Sequence, residues 1–541
     1  MRRRKVRSPL PDARQPLTLQ ITAQIEELTH ILGPADMSRG YRETCVSASR
    51  ADILRGLLGT LTRPYPHAHI IWLRGVPGSG KSVILNTIGK HLFELHRCGA
   101  FLFVNRGDAV TSDPRRVIPT LAYQLACFHP LFAQNIASQV YTRRDITYSS
   151  FETQVEYLLL KPLNAFAKSH DLGPIVIIFD AVDECGTSES RRGLLRALTA
   201  LFEKLPSMFR VLIASRDEPD IRVALSHAAV EIRDLRIDDE STTSDIIHFF
   251  KDRLARIAND YALPPDWPGD QAIQRLVDLA GGLFIWASTT IRFIEGGLPE
   301  ERLDRVLDRA LDRQPTRRLD ELYRVALAQP FDLADASVLA AVRPVLGAIV
   351  VAREPVTDEL LSELLGLKLG IVRHILSHLR ALLQGGSGVP IRILHQSFMD
   401  FLCDRERCQD LQWYIEPSDH HINLATGCFR LMERDLKFNI AGVETPYFGN
   451  HDIDRERIDG AITPALAYAS THWVTHLEFV SVSSDFLADA LAYFIQDQFF
   501  FWLEVFSLTN RMALSSNILR RAAWWCSVSF FCYGVVNACS S

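Results

Sequence analysis

The chain has 541 residues, of which 47% are hydrophobic and 23% are charged, and its net charge at neutral pH is -5. This length exceeds what one hydrophobic core serves, so we expect about two to four domains. The mildly acidic balance gives no electrostatic reason to expect nucleic-acid binding. The ten cysteines are scattered, which is typical of a reducing compartment, and we expect a cytoplasmic protein.

The first sixty residues predict a tail followed by helices. The basic segment Met1–Arg7 is not followed by an apolar region, so it is not a secretory signal. Apolar residues at helical spacing predict a helix over 17–32, which Gly33 and Pro34 end. A second helix is expected near Arg50. We assign residues 1–60 to this N-terminal tail and helical lead-in.

Residues 61–235 alternate between apolar strands and helices. Strands are predicted at 69–74, 100–104, 175–179, 210–214 and 229–232. Helices are predicted at 82–96, 116–128, 151–169 and 190–205. Fully apolar strands between helices indicate an α/β fold, a parallel sheet with helices on both faces. Ligands of such sheets bind at the carboxyl ends of the strands.

The first predicted strand leads into a complete match to the phosphate-binding pattern G-x-x-x-x-G-K-[ST]. The match consists of Gly75, Val76, Pro77, Gly78, Ser79, Gly80, Lys81 and Ser82, and Val83 follows in the helix. Glycines let backbone N–H groups face a polyphosphate, and the helix N-terminus adds positive partial charge. Lys81 would reach the β- and γ-phosphates, and the Ser82 hydroxyl would bind Mg²⁺. We therefore expect all nine residues to bind a nucleotide.

Acidic residues follow the third predicted strand. Asp180 ends that strand and is the expected second metal ligand beside Ser82. Asp183 and Glu184 come just after it, and either could polarise an attacking water. We favour Glu184 for the water and Asp183 for metal or loop support. Together with Lys81, these two residues are the catalytic candidates.

Two arginines follow the fourth and the second predicted strands. Ser215 and Arg216 end the fourth strand, where they could sense the γ-phosphate. A surface pair of Arg216 with Asp217 or Glu218 is an equally good interpretation. Arg106 follows the second strand in a similar position, and its role stays open.

Beyond residue 236 the pattern becomes helical. Helical patterns dominate 242–258, 270–295 and 300–328, and residues 338–405 combine helices, a glycine turn and a strand, which suggests a winged helix. Residues 420–510 are helical again, with expected core aromatics Trp473, Phe499, Phe500, Phe501 and Trp502. We expect a helical domain at 236–330, a winged-helix domain at 331–415, a second helical domain at 416–515 and an apolar tail at 516–541.

The apolar part of that tail, from Ala522 to Val536, is about fifteen residues long, which is too short to span a membrane. We therefore expect no membrane segment. A pair of core strands and an unnatural chain end explain the tail equally well. His395, at the end of the predicted wing strand, is by composition more often a core or capping residue than a ligand.

These motifs together resemble a NACHT-type domain of the signal-transduction (STAND) P-loop NTPases, in the arrangement of fungal NOD-like proteins with a nephrocystin-3-like N-terminal region. Besides the phosphate loop, four segments carry the resemblance, which extends from about Tyr41 to Met512: residues 106–122, 180–185, 215–216 and 281–287. In the last segment, Phe284 stands where related ATPases have a proline that touches adenine. His395 stands where the family's winged-helix histidine contacts the bound diphosphate.

The resemblance implies a switch that binds ATP or ADP with Mg²⁺. It would be closed and monomeric with ADP, and would open and form a homo-oligomer with ATP. Slow ATP hydrolysis would reset it, and an unidentified signalling partner would receive the signal. The family context implies fungal innate immunity or self/non-self recognition.

Two other functions stay open at this point. A small-molecule kinase would need an acceptor-binding lid, which the sequence does not indicate. A scaffold or truncated regulator that binds nucleotide without hydrolytic signalling is the main alternative.

Overall fold

The computed structural model describes residues 15–37, 50–63, 69–169, 173–226, 230–308, 315–328, 336–410, 412–444, 449–450, 453–480 and 485–539. The chain divides into two units, Met1–Ala287 and Ser288–Ser541. The finer division into six segments made from the sequence stays a prediction.

Five parallel strands form the centre of the first unit. They are β1 (Ile70–Arg74), β2 (Cys98–Phe103), β3 (Ile175–Asp180), β4 (Phe209–Ser215) and β5 (Val230–Asp234). Their order in the sheet is β2-β3-β4-β1-β5, with β1 between β4 and β5. Because all five are parallel, their carboxyl ends share one edge. The predicted strands are confirmed, each within two residues of its predicted bounds.

Helices cover both faces of this sheet. In chain order they are α1 (Gln15–Leu32), α2 (Ala51–Thr62), α3 (Lys81–Glu94), α4 (Pro114–Phe128), α5 (Pro130–Thr142), α6 (Phe151–Gln154), α7 (Lys161–Ser169), α8 (Ser188–Glu203) and α9 (Pro219–Leu225). A π-helical stretch, Val155–Leu160, joins α6 to α7, and 3₁₀ turns occupy Ile146–Tyr148 and Val182–Glu184. The result is the α/β P-loop NTPase fold that the sequence predicted.

Side chains alternate along each strand, so the sheet contributes to two separate buried clusters. Trp72 of β1 packs with residues of α1, α4, α5, α8 and α9 in one buried cluster. Its neighbours Ile71 and Leu73 pack with α2 and α3 in another. Successive side chains of a strand point to opposite faces, so each fully apolar strand contributes to both cores. This double burial holds the strand ends in a fixed arrangement.

Three further helices follow the sheet: α10 (Glu240–Asp260), α11 (Asp270–Ala280) and α12 (Phe284–Glu295), the last of which runs across the boundary between the units. The helical pattern predicted over 270–295 is formed by two helices, α11 and α12, which Gly281 and Gly282 separate with positive φ angles. A Cβ at Gly282 would lie 1.8 Å from the Ile237 carbonyl oxygen. This close backbone approach needs glycine and lets the chain turn.

The described residues of the second unit are helical apart from one hairpin and the connecting loops. Its elements are α13 (Pro299–Leu307), α14 (Pro315–Leu327), α15 (Ala336–Val351), α16 (Asp358–Leu365), α17 (Leu369–His378), β6 (Leu383–Gly386), β7 (Val389–Ile393), α18 (Gln396–Cys403), α19 (Arg405–Cys408), α20 (Pro417–Asp435), α21 (Arg455–Ala461), α22 (Pro464–Leu477), α23 (Asp485–Tyr493), a π-helical stretch (Phe494–Gln498), α24 (Phe499–Leu508) and α25 (Met512–Cys539). Helices α15, α16 and α17 precede the antiparallel pair β6–β7, which is the element order predicted from the sequence.

The C-terminal helices correct two expectations. Trp473 and Trp502 are fully buried as predicted, but Phe500 is 79% exposed and is not a core residue. The apolar tail forms the helix α25 and not a strand pair, and it packs through buried Ile518, Ala522 and Trp525. Among the described residues, no helix is both long enough and apolar enough to cross a membrane.

Candidate functional site

The phosphate-binding pattern forms a loop between β1 and α3, at the carboxyl edge of the sheet. Gly78 and Gly80 have φ angles of 78° and 94°, which side-chain-bearing residues rarely adopt. A Cβ at Gly78 would also lie 2.0 Å from Cγ2 of Ile285, whose N–H donates to the Gly78 carbonyl (3.1 Å). Helix α3 starts at Lys81, so its first backbone N–H groups lack partners within the helix. This geometry is suited to an anion.

The Lys81 ammonium lies over this loop. Its Nζ donates to the carbonyl oxygens of Gly75 (2.7 Å) and Val76 (3.0 Å). Burial lowers the pKa of Lys81 to about 8, although the carboxylates of Asp183 and Asp180 act in the opposite direction. A poorly solvated ammonium gains strongly from an additional anionic neighbour. Lys81 is therefore placed and tuned for a phosphate.

Ser82 and Asp180 meet although 98 residues separate them in sequence. The Ser82 hydroxyl donates to Oδ1 of Asp180 over 3.0 Å, and Asp180 is buried at the end of β3. A hydroxyl and a carboxylate oxygen are ligands that Mg²⁺ accepts. The residues predicted as metal ligands thus fit a divalent cation beside the loop. Val83, the remaining loop candidate, lies half-buried in the first turn of α3.

Asp183 lies in the 3₁₀ turn after β3, next to the end of β4. Its carboxylate accepts the Arg216 backbone N–H (3.0 Å) and forms an ion pair with the Arg216 guanidinium (3.2 Å). Asp217 accepts instead from Arg222, and Glu218 pairs with Arg191. Arg216 thus pairs with Asp183, and this contact links the turn after β3 to the end of β4. The roles expected of both residues toward a nucleotide stay predictions.

The other end-of-strand polar residue is turned inward. The Ser215 hydroxyl is fully buried, accepts from the indole of Trp72 (2.8 Å) and donates to the Arg216 carbonyl (2.9 Å). It anchors β4 to β1 at the edge where the loop begins. Arg216 is the better placed of the two to respond to a ligand.

Glu184 is held by the loop after β2. One of its carboxylate oxygens accepts the Arg106 backbone N–H (3.2 Å), while the Arg106 guanidinium donates to the Asp183 carbonyl (3.2 Å). Arg106 thus contacts both acidic residues of the turn, Asp183 and Glu184. Between Asp180 and this turn, Ala181 adopts a left-handed conformation with φ of 61°.

Two buried arginines contact the acidic turn and the phosphate loop. The sequence analysis did not identify either of them. Arg191 of α8 is 1% exposed, donates to the Asp183 carbonyl (2.7 Å) and forms ion pairs with Glu218 and Asp220. Arg50, 3% exposed, donates to the Ser79 carbonyl (3.0 Å). No local sequence pattern indicates either residue, since the partners of Arg50 are distant in sequence and those of Arg191 lie outside α8.

His395 lies in the second unit. It is the N-cap of α18, where its Nδ1 accepts the Ser397 backbone N–H (3.1 Å) and contacts the Ser397 hydroxyl (2.6 Å). That hydroxyl also meets the Tyr323 hydroxyl (2.8 Å). The capping role weighed from composition is therefore present, and contact with a nucleotide stays a prediction.

A protein-family model matches part of the chain. Residues 60–216 match the family model described as Nephrocystin 3, N-terminal. The match includes β1, the phosphate loop, Asp180 and Arg216, and it leaves most of the chain outside. No curated protein matches the chain.

Several solved structures are similar over most of the chain, but only distantly. A STAND protein with a tetratricopeptide repeat sensor from Pyrococcus horikoshii is 11% identical, with 93% of this chain and 67% of that chain covered and a TM-score of 0.40. Cdc6p from Pyrobaculum aerophilum is 13% identical, with coverage of 69% and 95% and a TM-score of 0.30. The Drosophila ORC bound to poly(dA/dT) DNA and Cdc6 is 13% identical, with coverage of 82% and 70% and a TM-score of 0.25. These scores are too low to carry an argument about function.

Proposed function

We propose that this protein is a nucleotide-dependent signalling switch of the STAND class, which binds ATP or ADP with Mg²⁺ and hydrolyses ATP slowly. The observation that carries the proposal is the 3.0 Å contact between Ser82 and Asp180 beside the phosphate loop. It joins two separate motifs into one donor set for a divalent cation. The cation would neutralise phosphate charge when bound.

In this proposal each residue of the chain has a specific task. Backbone N–H groups of Gly78, Ser79 and Gly80 bind phosphate oxygens, and Lys81 exchanges its loop carbonyls for a phosphate. Glu184 orients the attacking water, for which it leaves the Arg106 N–H. Arg216 links the state of the phosphates to Asp183. His395, Val83 and the adenine contact near Phe284 belong to the proposal on the strength of the resemblance alone.

The wider role is part of the same proposal. A cytoplasmic switch in fungal innate immunity or self/non-self recognition would be monomeric with ADP and oligomeric with ATP. The signalling partner and the trigger are unidentified.

A second candidate is a scaffold that binds nucleotide without hydrolysing it. The contacts of both acidic residues favour it, since Asp183 pairs with Arg216 and Glu184 accepts from Arg106. These contacts occupy carboxylate oxygens that a role in orienting water would need. Measured hydrolysis separates the two candidates.

The experiment uses purified protein and its Lys81→Ala and Glu184→Gln variants. Mass spectrometry identifies the nucleotide that the protein retains, and phosphate release measures turnover. We expect Lys81→Ala to lose the nucleotide, and Glu184→Gln to keep it while hydrolysis slows by about a hundredfold. Unchanged nucleotide content in Lys81→Ala would overturn both candidates. Equal and negligible turnover in wild type and Glu184→Gln would exclude the hydrolysing switch and favour the scaffold.

A further inference from the structure

Arg50 lies directly before α2 and is enclosed between the phosphate loop and α10. Its side chain is 3% exposed, and its backbone is left-handed, with φ of 59° and ψ of 20°. One guanidinium nitrogen donates to the Ser79 carbonyl (3.0 Å), and another donates to the Thr242 hydroxyl (3.0 Å). The Arg50 backbone N–H donates to Asp245 (2.8 Å). We therefore expect this buried arginine to affect ligand binding at the loop as well as the free energy of unfolding.

The contact with Ser79 determines where a neighbouring N–H points. The Ser79 carbonyl and the Gly80 N–H belong to one planar peptide group and point in opposite directions. Arg50 holds the carbonyl on the inner side of the loop, so the Gly80 N–H faces the other side. A cation at the carbonyl also polarises the peptide and strengthens its N–H as a donor. Arg50 thus prepares one of the N–H groups that a phosphate would contact.

The same guanidinium joins the loop to two helices. Thr242 and Asp245 both belong to α10, and the Arg50 guanidinium also lies 4.6 Å from the ring centre of Phe284, at the start of α12. Ile285, the next residue, donates its N–H to Gly78. The loop is therefore in direct contact with α10 through Arg50, and with the start of α12 through Arg50 and Ile285.

An ordinary buried ion pair is the competing explanation. The Arg50 Nε lies 3.7 Å from the Asp245 carboxylate, which is a looser arrangement than the two hydrogen bonds to Ser79 and Thr242. Burial raises the pKa of Asp245, which weakens the case for a pair held by charge alone. Two guanidinium nitrogens instead donate to neutral oxygens, one of the loop and one of α10.

We propose that Arg50 is a positioning residue for polyphosphate binding, which orients the Ser79–Gly80 peptide and couples the occupied loop to α10. The inference rests on the proposed nucleotide binding and adds a residue to it. Because the effect passes through a phosphate-facing N–H, it concerns the polyphosphate and not the base. ADP and inorganic pyrophosphate should therefore be affected to the same degree.

The test compares wild type with Arg50→Met, Arg50→Lys and Arg55→Met. Arg55 is the matched control, because it lies on α2 in an exposed pair with Asp52. Calorimetry measures the Kd of ADP and, separately, of pyrophosphate, and a thermal scan without nucleotide measures stability. Hydrogen exchange of α10 amides with saturating ADP measures the coupling.

We expect Arg50→Met to raise the Kd of ADP and the Kd of pyrophosphate by the same factor, about tenfold or more. ADP should protect α10 amides in wild type and Arg55→Met but not in Arg50→Met. Arg50→Lys should recover part of the affinity, since an ammonium can reach one of the two oxygens, and it remains informative if Arg50→Met does not fold.

Two results would overturn the inference while the proposed function stands. One is an unchanged Kd in both Arg50 variants, and the other is a lower melting temperature with an unchanged Kd, which indicates a structural pair. Failure of wild type to bind ADP and pyrophosphate would instead remove the proposed function and the inference together.

Discussion

The Lys81 ammonium illustrates how burial tunes a single residue for an anion. Burial lowers its pKa to about 8, so the charge that a phosphate needs is present below pH 8 and is lost as the pH rises through that value. A bound phosphate would raise the pKa again, because an opposite charge favours the ammonium. Binding and proton uptake are therefore linked near this pH.

We accordingly predict that ADP affinity falls above pH 8, by about tenfold per pH unit. Calorimetry between pH 7 and 9.5 measures this fall. Lys81→Arg is the matched control, because a guanidinium keeps its charge over this range. It should bind more weakly at pH 7 but with a flat pH profile. A flat profile in wild type would contradict the assigned cause.

Arg191 supports the acidic turn by contacts that the sequence does not reveal. Removing its charge would leave the carboxylates of Glu218 and Asp220 and the Asp183 carbonyl without this partner. We predict that Arg191→Met lowers the free energy of unfolding by about 3 kcal/mol. Hydrogen exchange of β3 and β4 amides measures it, since the slowest amides report global opening. The exposed neighbour Arg192 provides the control, and an equal loss in Arg192→Met would refute the assignment.

At the scale of elements, the strands and the phosphate loop were predictable because local sequence encodes them. Four of the five strands are predominantly apolar, and the loop needs glycine at two positive φ angles, Gly78 and Gly80. Helix α5 was missed because it starts at Pro130, one residue after the cap that ends α4. The helical pattern over 270–295 did not indicate where its two helices separate, because the Ile237 carbonyl that lies against Gly282 is remote in sequence.

In the candidate site, too, residues in local motifs were predictable, and residues whose contacts depend on the fold were not. Lys81, Ser82 and Asp180 were predictable from motifs. Arg50 and Arg191 were not, since the hydrogen-bond partners of Arg50 lie up to 195 residues away and those of Arg191 lie 8 to 29 residues away, outside α8. The pairing of Arg216 with Asp183 depends on β3 and β4 being neighbours in the sheet. Strand order is a tertiary property, and spacing along the chain does not supply it.

A buried histidine pair between α20 and α22 makes the second unit sensitive to acid. Nδ1 of His421 lies 2.9 Å from Nδ1 of His476, whose Nε2 meets the Tyr468 hydroxyl (2.9 Å). Burial lowers the pKa of His421 to about 3 and that of His476 well below its ordinary value, and the nearby Arg353 adds to both shifts. Both rings are therefore neutral when the protein is folded at neutral pH.

This pair predicts a loss of stability between pH 6.5 and pH 3, because the unfolded chain takes up protons there that the folded unit does not. At pH 5.5 the loss is about 1.4 kcal/mol for each histidine. Urea unfolding followed by tryptophan fluorescence at pH 7.5 and 5.5 measures it. His476→Gln should be less stable at pH 7.5 but less sensitive to acid, whereas His378→Asn in α17 should behave as wild type. An unchanged pH dependence in His476→Gln would rule out the pair as its source.

At the scale of the whole molecule, the two units give the proposed switch its parts: a nucleotide-binding sheet in one and a helical array with a hairpin in the other. ATP and ADP can change the assembly state only if the two states bind them with different affinity. Nothing more than the γ-phosphate distinguishes the two ligands, so the residues at the loop must detect it.

We predict that a non-hydrolysable ATP analogue with Mg²⁺ raises the mass of the protein in solution above that with ADP and Mg²⁺. Light scattering after size exclusion measures both masses. Lys81→Ala should show the same mass under the two conditions. Equal masses for wild type, with nucleotide binding demonstrated in the same sample, would exclude a nucleotide-driven assembly.

The left-handed Ala181 has a consequence for how this chain can vary. A residue with a Cβ is held in that conformation at a cost of about 1 kcal/mol, which glycine avoids, while glycine gains freedom in the unfolded chain by a similar amount. Exchange of alanine for glycine at this point is therefore close to neutral for folding. Position 181 can thus vary between these two residues without changing the side chains of Asp180, Asp183 or Glu184.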